Sequence, residues 1–286
     1  MKIGYLGPGK STFGYMAAKK FFSGMKDDNF LSFDSHKEIC QAACKKNIKY
    51  GIVAAENVIE GIVTETIYAL DTLSRSDHLL ISGEVEIPIE LFLLRKINDG
   101  SSPTRLLAHP IARKQCSRKV DAFLKENTIE DIQPVNSNGK AAEEASKDSS
   151  IVAISTTKAE EEYGLVRLEP HSIVNNPNNF TRFWVVSTTR AKASSNNKTC
   201  FLVNLNQEKA VGLKGVLEPF SSKGINLLLI APIPIHGRKW EYSFLIEFSG
   251  SFTDPEMRKA YDQLCESGIT MGGPLLLGSY PAGTTK

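Results

Sequence analysis

The chain has 286 residues, 41% of them hydrophobic and 23% charged, with a formal net charge of +2 at pH 7. That length suits two domains of ordinary size, each burying its own core, and a charge so near zero points to neither nucleic acid nor an anionic membrane. No apolar run approaches the roughly 18 residues that span a bilayer. The opening meets glycine too early for a secretory signal, and the five cysteines are scattered rather than spaced as a disulfide framework, so a cytoplasmic protein is expected.

Lys2 to Leu6 reads as a short strand, Gly7-Pro8-Gly9-Lys10-Ser11-Thr12 as a turn, and Phe13 to Phe22 as a helix. Gly4 to Ser11 fits the Gly-x4-Gly-Lys-Ser pattern of a phosphate-cradling loop. Too little strand precedes Gly4, however, and no later strand ends in an aspartate that would help hold magnesium. The expectation is backbone amides at a helix N-terminus that favour a carboxylate rather than a nucleotide. A short strand at Phe30 to Phe33 leads to a helix from Ser35 to Lys46, on which His36, Cys40 and Cys44 share one face. Three ligands without a second cluster read better as a core-facing stripe than as a metal site. Tyr50 to Ala55 is a buried strand ending in the polar turn Glu56 to Gly61, and Ile62 to Leu73 has helical periodicity. A strand feeding a helix through a polar turn is where ligands bind in open α/β sheets.

Leu79 to Leu94 holds two β-rich runs separated by Pro88, a pair able to carry the chain into a second lobe. Strands at Arg105–Ala108, Asp131–Val135 and Ile151–Ile154 alternate with helices from His109 to about Lys125, Gly139 to Ala145 and Thr157 to Tyr163; Val166 to Ile173 returns. Such units predict α/β layering with largely parallel sheets, in a lobe 1 of about residues 1–78 plus 172–189 and a lobe 2 of about 79–171. Asn175 to Asn179 form a polar turn before an apolar strand at Phe183 to Val186. Thr181 and Arg182 at that junction offer a hydroxyl and a cation to a small anion. If the strand has already begun there, Arg182 faces opposite to Thr181 and is structural. Beyond the polar linker Arg190 to Lys198 come a strand (Thr199–Leu205), a helix (Val211–Lys223), two strands (Gly224–Ile235, Glu241–Phe248), a helix (Asp254–Ser267) and a strand near Pro274 to Tyr280. This β-α-β-β-α-β order predicts a ferredoxin-like domain over residues 199–286.

Asn179-x-Thr181-Arg182-Phe183 resembles the signature of prephenate dehydratases. Four further stretches resemble that family in the right order: Gly7-Pro8 with Thr12-Phe13; Glu56-Asn57-x-x-x-Gly61-x-Val63-x-x-Thr66; His109-Pro110-x-Ala112-x-x-Gln115-Cys116; and Gly224-Ile225-Asn226-Leu227, Trp240-Glu241-Tyr242 and Gly278-Ser279-Tyr280-Pro281, which look like its ACT domain. The resemblance implies an α/β protein with a two-lobed, periplasmic-binding-protein-like catalytic domain (1–189) and a C-terminal ferredoxin-like ACT regulatory domain. It implies a carbon–oxygen lyase of phenylalanine biosynthesis that converts prephenate to phenylpyruvate with no cofactor or metal. Thr181 would donate to the leaving hydroxide with Asn57 as its catalytic partner, and Thr12, Glu56, Ser137, Asn179, Arg182 and Phe183 would bind substrate. An amino-acid effector would meet the ACT domain at Val211, Gly212, Leu213, Asn226, Leu227, Ala231 and Pro232, and the chain would be a homodimer or homotetramer.

Several positions depart from the family pattern. Val58 replaces the serine of Glu-Asn-Ser, Tyr68 an aspartate, Ala108 and Ile111 a serine and a glutamine, and Ser137-Asn138-Gly139 stands for Ser-Thr-Ala. In the ACT domain the Glu-Ser-Arg-Pro segment reads Ala231-Pro232-Ile233-Pro234, so weak or absent inhibition by phenylalanine is expected. Alternatives are arogenate dehydration, prephenate decarboxylation with the hydroxyl kept, and a non-catalytic sensor of a small anion. Thr181 argues against the decarboxylase, and Thr181 with Asn57 argues against the sensor.

Overall fold

Residues 1–96, 102–192, 194–206 and 212–283 are described by the structure, a computed structural model. The chain opens β1 (Ile3–Leu6), α1 (Phe13–Phe21), β2 (Phe30–Phe33), α2 (His36–Cys44), β3 (Tyr50–Asn57), β4 (Gly61–Ile62), α3 (Thr64–Asp77) and β5 (Leu80–Pro88). It continues β6 (Phe92–Arg95), β7 (Arg105–Ala108), α4 (Pro110–Gln115), α5 (Ser117–Asn127), β8 (Asp131–Pro134), α6 (Asn138–Lys147), β9 (Ile151–Ser155), α7 (Thr157–Tyr163), β10 (Val166–Arg167) and β11 (Phe180–Ser187). The last part is β12 (Asn197–Asn204), α8 (Gly212–Ser221), β13 (Leu227–Pro234), β14 (Tyr242–Ser249), α9 (Pro255–Glu266) and β15 (Leu275–Pro281). The single helix expected from His109 is two, parted at Cys116, whose backbone leaves the helical region.

Strands β2-β1-β3-β11-β5 form the sheet of the first lobe and β10-β6-β9-β7-β8 that of the second. Both are mixed rather than largely parallel. β11 runs antiparallel to β3 and to β5, and β6 antiparallel to β9 and β10. These strands are reached by crossing between lobes instead of by the helical crossovers that make neighbours parallel. β5 pairs with β11 over its whole length, so residues 80–88 belong to the first lobe, and the chain leaves it after Pro88, not near residue 79. The two crossing segments bond to each other there, Ile89 N donating to Asn179 O at 2.8 Å.

The C-terminal strands follow the order β13-β14-β12-β15, antiparallel throughout, the ferredoxin-like arrangement. This sheet continues the first lobe's sheet through a parallel pairing of Gly278 with Ile81. The approach requires glycine: a Cβ at 278 would lie 2.3 Å from the Ile81 carbonyl oxygen. One face of the C-terminal sheet (Cys200, Leu202, Leu245, Leu277, Tyr280) packs on Trp184, Val186 and the α2–α3 layer of the first lobe. Its other face is closed by α8 and α9 around Phe201, Phe220, Phe248 and Met257.

The His36–Cys40–Cys44 stripe sits on α2 as a largely buried face. Cys40 lies in the core with Ile39 and Ala43, and burial holds its thiol far above the ordinary range.

Candidate active site

Strand alternation decides which side chains meet at the start of β11. Thr181 pairs with Asn57 and Arg182 with Glu56 across the β11–β3 ladder, so each strand sends one of these residues to the interlobe face and its neighbour to the opposite one. Asn57 is the hub. Its Oδ1 accepts from the amides of Ile59 and Glu60 at 2.9 and 3.0 Å. This turn fixes which end of the carboxamide is the donor. Nδ2 then donates to Thr181 Oγ1 at 2.9 Å, sharing its two hydrogens with Asn179 Oδ1 at 2.9 Å and Phe180 O at 3.0 Å. Because Thr181 Oγ1 is an acceptor in this pair, its own hydrogen is left over, and among the described residues nothing in the protein accepts it.

Thr181, Asn57 and Phe183 open onto a cleft of about 390 Å³ between the lobes, walled also by Thr12, Asp34, His36, Glu60, His109, Gln115, Asn136 and Ser137. This volume falls in the range of small-molecule sites, roughly 300–1,000 Å³. Cavities of about 760 and 460 Å³ lie elsewhere, under α1 and at the seam with the C-terminal domain. The smaller cleft is the better site because both lobes and the Asn57–Thr181 pair face it.

Among the described residues, no lysine or arginine lines the cleft. The lining also carries the carboxylates of Asp34 and Glu60, so attraction for an anion rests on helix ends. Thr12 and Ser137 cap α1 and α6, His36 begins α2, and Val63 caps α3, all in the cleft wall, and each helix is nine or more residues long. Free amides and aligned peptide dipoles at such termini attract anions. Thr12 Oγ1 accepts from Tyr15 N at 3.3 Å and donates to Leu6 O at 3.0 Å. Its one hydrogen goes to the Leu6 carbonyl, so toward the cleft the Thr12 hydroxyl offers an acceptor and no donor. Ser137 Oγ accepts from Lys140 N at 3.0 Å and keeps its hydrogen. Burial lowers the pKa of both His36 and His109, which favours neutral imidazoles in the cleft at neutral pH.

Arg182 and Glu56 are not in the cleft, which corrects the expectation that they bind substrate. Both point to the opposite face of the sheet. There the Arg182 guanidinium pairs with Glu247 at 2.8 Å, Glu56 at 3.0 Å and Glu84 at 3.3 Å. Lys198 reaches Glu84 at 2.8 Å, and the Tyr280 hydroxyl donates to Glu247. This network of β3, β5 and β11 with β12, β14 and β15 joins the two domains directly behind the Asn57–Thr181 pair. Val58 lies on that side too, lining the seam cavity, so its missing hydroxyl leaves no gap in the cleft.

Asn179 is buried behind Asn57 as its support. His109 and Gln115 stand in the motif quoted above without a role assigned to them. His36 was hidden in a helical stripe that sequence alone splits between metal and core readings. In the C-terminal domain, Gly212 and Leu213 begin α8, whereas Leu227, Ala231 and Pro232 lie on the edge strand β13 and Asn226 just before it. Val211 lies outside the described residues.

The family model for prephenate dehydratase matches residues 3–191. A bifunctional chorismate mutase/prephenate dehydratase of Aquifex aeolicus is 31% identical over 281 residues, 98% of this chain and 74% of that protein. Among solved structures, the prephenate dehydratase of Arthrobacter aurescens in complex with L-Phe superposes with a TM-score of 0.82 at 27% identity, over 98% of this chain and 90% of that one. A protein described as a novel type of quorum quenching acylase superposes with a TM-score of 0.80 at 22% identity, over 99% of this chain and 98% of that one. At that identity the likeness is one of fold.

Proposed function

The chain belongs to the prephenate dehydratase family, and from that premise we propose that Thr181 is the hydrogen donor to the hydroxide that leaves prephenate. The enzyme is a decarboxylating carbon–oxygen lyase. As the ring carboxylate departs as carbon dioxide, its bonding electrons enter the ring and expel hydroxide from the opposite carbon, giving phenylpyruvate. Aromatisation drives the reaction, so the protein has to hold a dianion in place and stabilise the departing oxygen rather than supply a strong acid.

The Asn57 Nδ2 to Thr181 Oγ1 bond of 2.9 Å carries the assignment, because it makes Thr181 an acceptor toward the protein and a donor toward the cleft. The termini of α1, α2, α3 and α6 supply the attraction for the two carboxylates, and Ser137 offers one more hydroxyl. Ile89, Leu91 and Phe183 form apolar wall for the ring. Replacing Thr181 by Ala tests this assignment. Turnover of prephenate to phenylpyruvate falls by about 10²–10³-fold, the scale of one lost transition-state donor, and Thr181→Ser keeps most of it. An alanine variant as fast as the wild type would dismiss Thr181.

Residues 1–189 form the catalytic domain in this reading and residues 199–286 an ACT regulatory domain that takes an amino-acid effector through Gly212, Leu213, Asn226, Leu227, Ala231 and Pro232. The Arthrobacter protein holds L-Phe. In this chain Ala231 and Pro232 bring methyl and ring carbons where the family pattern has carboxylate and hydroxyl, so phenylalanine inhibits weakly or not at all. Potent inhibition in a purified assay would overturn that. A cytoplasmic homodimer or homotetramer completes the reading, and a monomer by light scattering would contradict it.

A further inference from the structure

We propose that His36 is a substrate-contacting residue of the interlobe cleft, its Nε2–H donating to an anionic oxygen of the bound dicarboxylate. The inference rests on the dehydratase reading and adds to it a residue outside the motifs that carry the resemblance. Three observations support it. His36 is the first residue of α2, on the cleft wall shared by Thr12, Asn57 and Thr181. It is only 6% exposed, and its Nδ1 is buried with no hydrogen-bond partner. Neither ring nitrogen bonds to a described residue.

A proton on Nδ1 would strand a buried donor, which costs more than leaving an acceptor unpaired when the other nitrogen has an outlet. The favoured tautomer therefore carries its proton on Nε2, the nitrogen that is not fully buried. Burial keeps the ring neutral despite the Glu65 carboxylate nearby, so His36 acts as a plain N–H donor beside the α2 terminus. That suits a cleft with no lysine or arginine among the described residues that line it, in which Thr12 and Asn57 have already spent their hydrogens inside the protein. A histidine serving only to fill the core would gain nothing from its nitrogens, and phenylalanine would serve there as well.

That contrast defines the experiment. Steady-state kinetics with prephenate are measured for the wild type, His36→Phe and His36→Gln, with urea unfolding of each. The proposal expects His36→Phe to raise KM at least about tenfold, the cost of a lost hydrogen bond to a charged group, while kcat stays within about twofold and the unfolding midpoint does not fall. His36→Gln, which keeps an N–H donor, returns KM to within about threefold of the wild type. A His36→Phe variant with unchanged KM would overturn the proposal, as would a glutamine variant no better than phenylalanine. Should His36→Phe fail to fold, His36→Leu gives the same comparison in a smaller side chain. An active wild type with unchanged KM in the variants removes this inference alone, whereas a wild type that makes no phenylpyruvate removes the dehydratase reading and the inference together.

Discussion

Removing the Arg182 guanidinium should destabilise the whole molecule, and Arg182→Met is the cleanest way to remove it. The side chain is 10% exposed, and the carboxylates of Glu84 and Glu247 beside it are each 2% exposed. Methionine keeps an unbranched stem but loses the guanidinium, which also lies 5.8 Å from the centroid of the Trp184 ring, and it leaves those two buried carboxylates with Lys198, 2.8 Å from Glu84 and 3.9 Å from Glu247, as their remaining cation. Breaking a buried ion pair from one side costs about 3–5 kcal/mol. The Tyr280 hydroxyl on Glu247 and the Gly283 amide on Glu84 still satisfy one oxygen of each, which favours the lower end, about 3 kcal/mol. In urea unfolding, with a slope of about 3 kcal/mol/M, the midpoint then falls by about 1 M. Adding Glu247→Gln to Arg182→Met restores part of the loss, because one stranded charge goes with it. Loss of less than about 1 kcal/mol, the scale of an exposed pair, would refute the claim that this network is a buried junction of the two domains.

Asn57→Asp tests the hydrogen-bond polarity of the catalytic pair. A carboxylate accepts the Thr181 hydrogen instead of leaving it for the substrate, so kcat falls by about 10²-fold or more with little change in volume; a variant within tenfold of wild type would show that polarity to be irrelevant. Stability should decline as pH falls below about 6.5, the ordinary histidine value. His36 and His109 have folded-state pKa values below it, so the unfolded chain binds protons first and unfolding gains by it. His36→Phe should flatten the thermal-unfolding midpoint across pH 5–7, and an unchanged slope would deny burial of that imidazole. Thr12→Val removes the cap on α1 and should cost about 1 kcal/mol in urea unfolding, and no loss would mean that the hydroxyl does not hold the helix end.

Much of this architecture is legible in the sequence because it rests on local signals. The βαββαβ order of the last third follows from alternating patterns and turn residues, and Thr12 and Ser137 announce helix starts by their type. What stays hidden depends on partners far away in the chain. Nothing local says that β5 would join β11 rather than lead the second lobe, since that follows from a strand returning about 90 residues later. Glu56 and Arg182 look like site residues because they flank Asn57 and Thr181. The alternation that puts them behind the sheet can be read in advance, but the Glu84 and Glu247 waiting there cannot. His36 shows the converse: a residue on a buried stripe whose helix happens to begin in the cleft wall.

The most direct test of the account compares wild type, Thr181→Ser and Thr181→Val in single-turnover formation of phenylpyruvate from prephenate. The account expects the wild type to react, serine to retain a rate within about tenfold, and valine, of the same shape without the hydroxyl, to lose about 10²–10³-fold while still binding prephenate. A valine variant that forms phenylpyruvate at the wild-type rate would contradict it, because the departing hydroxide would then need nothing from Thr181.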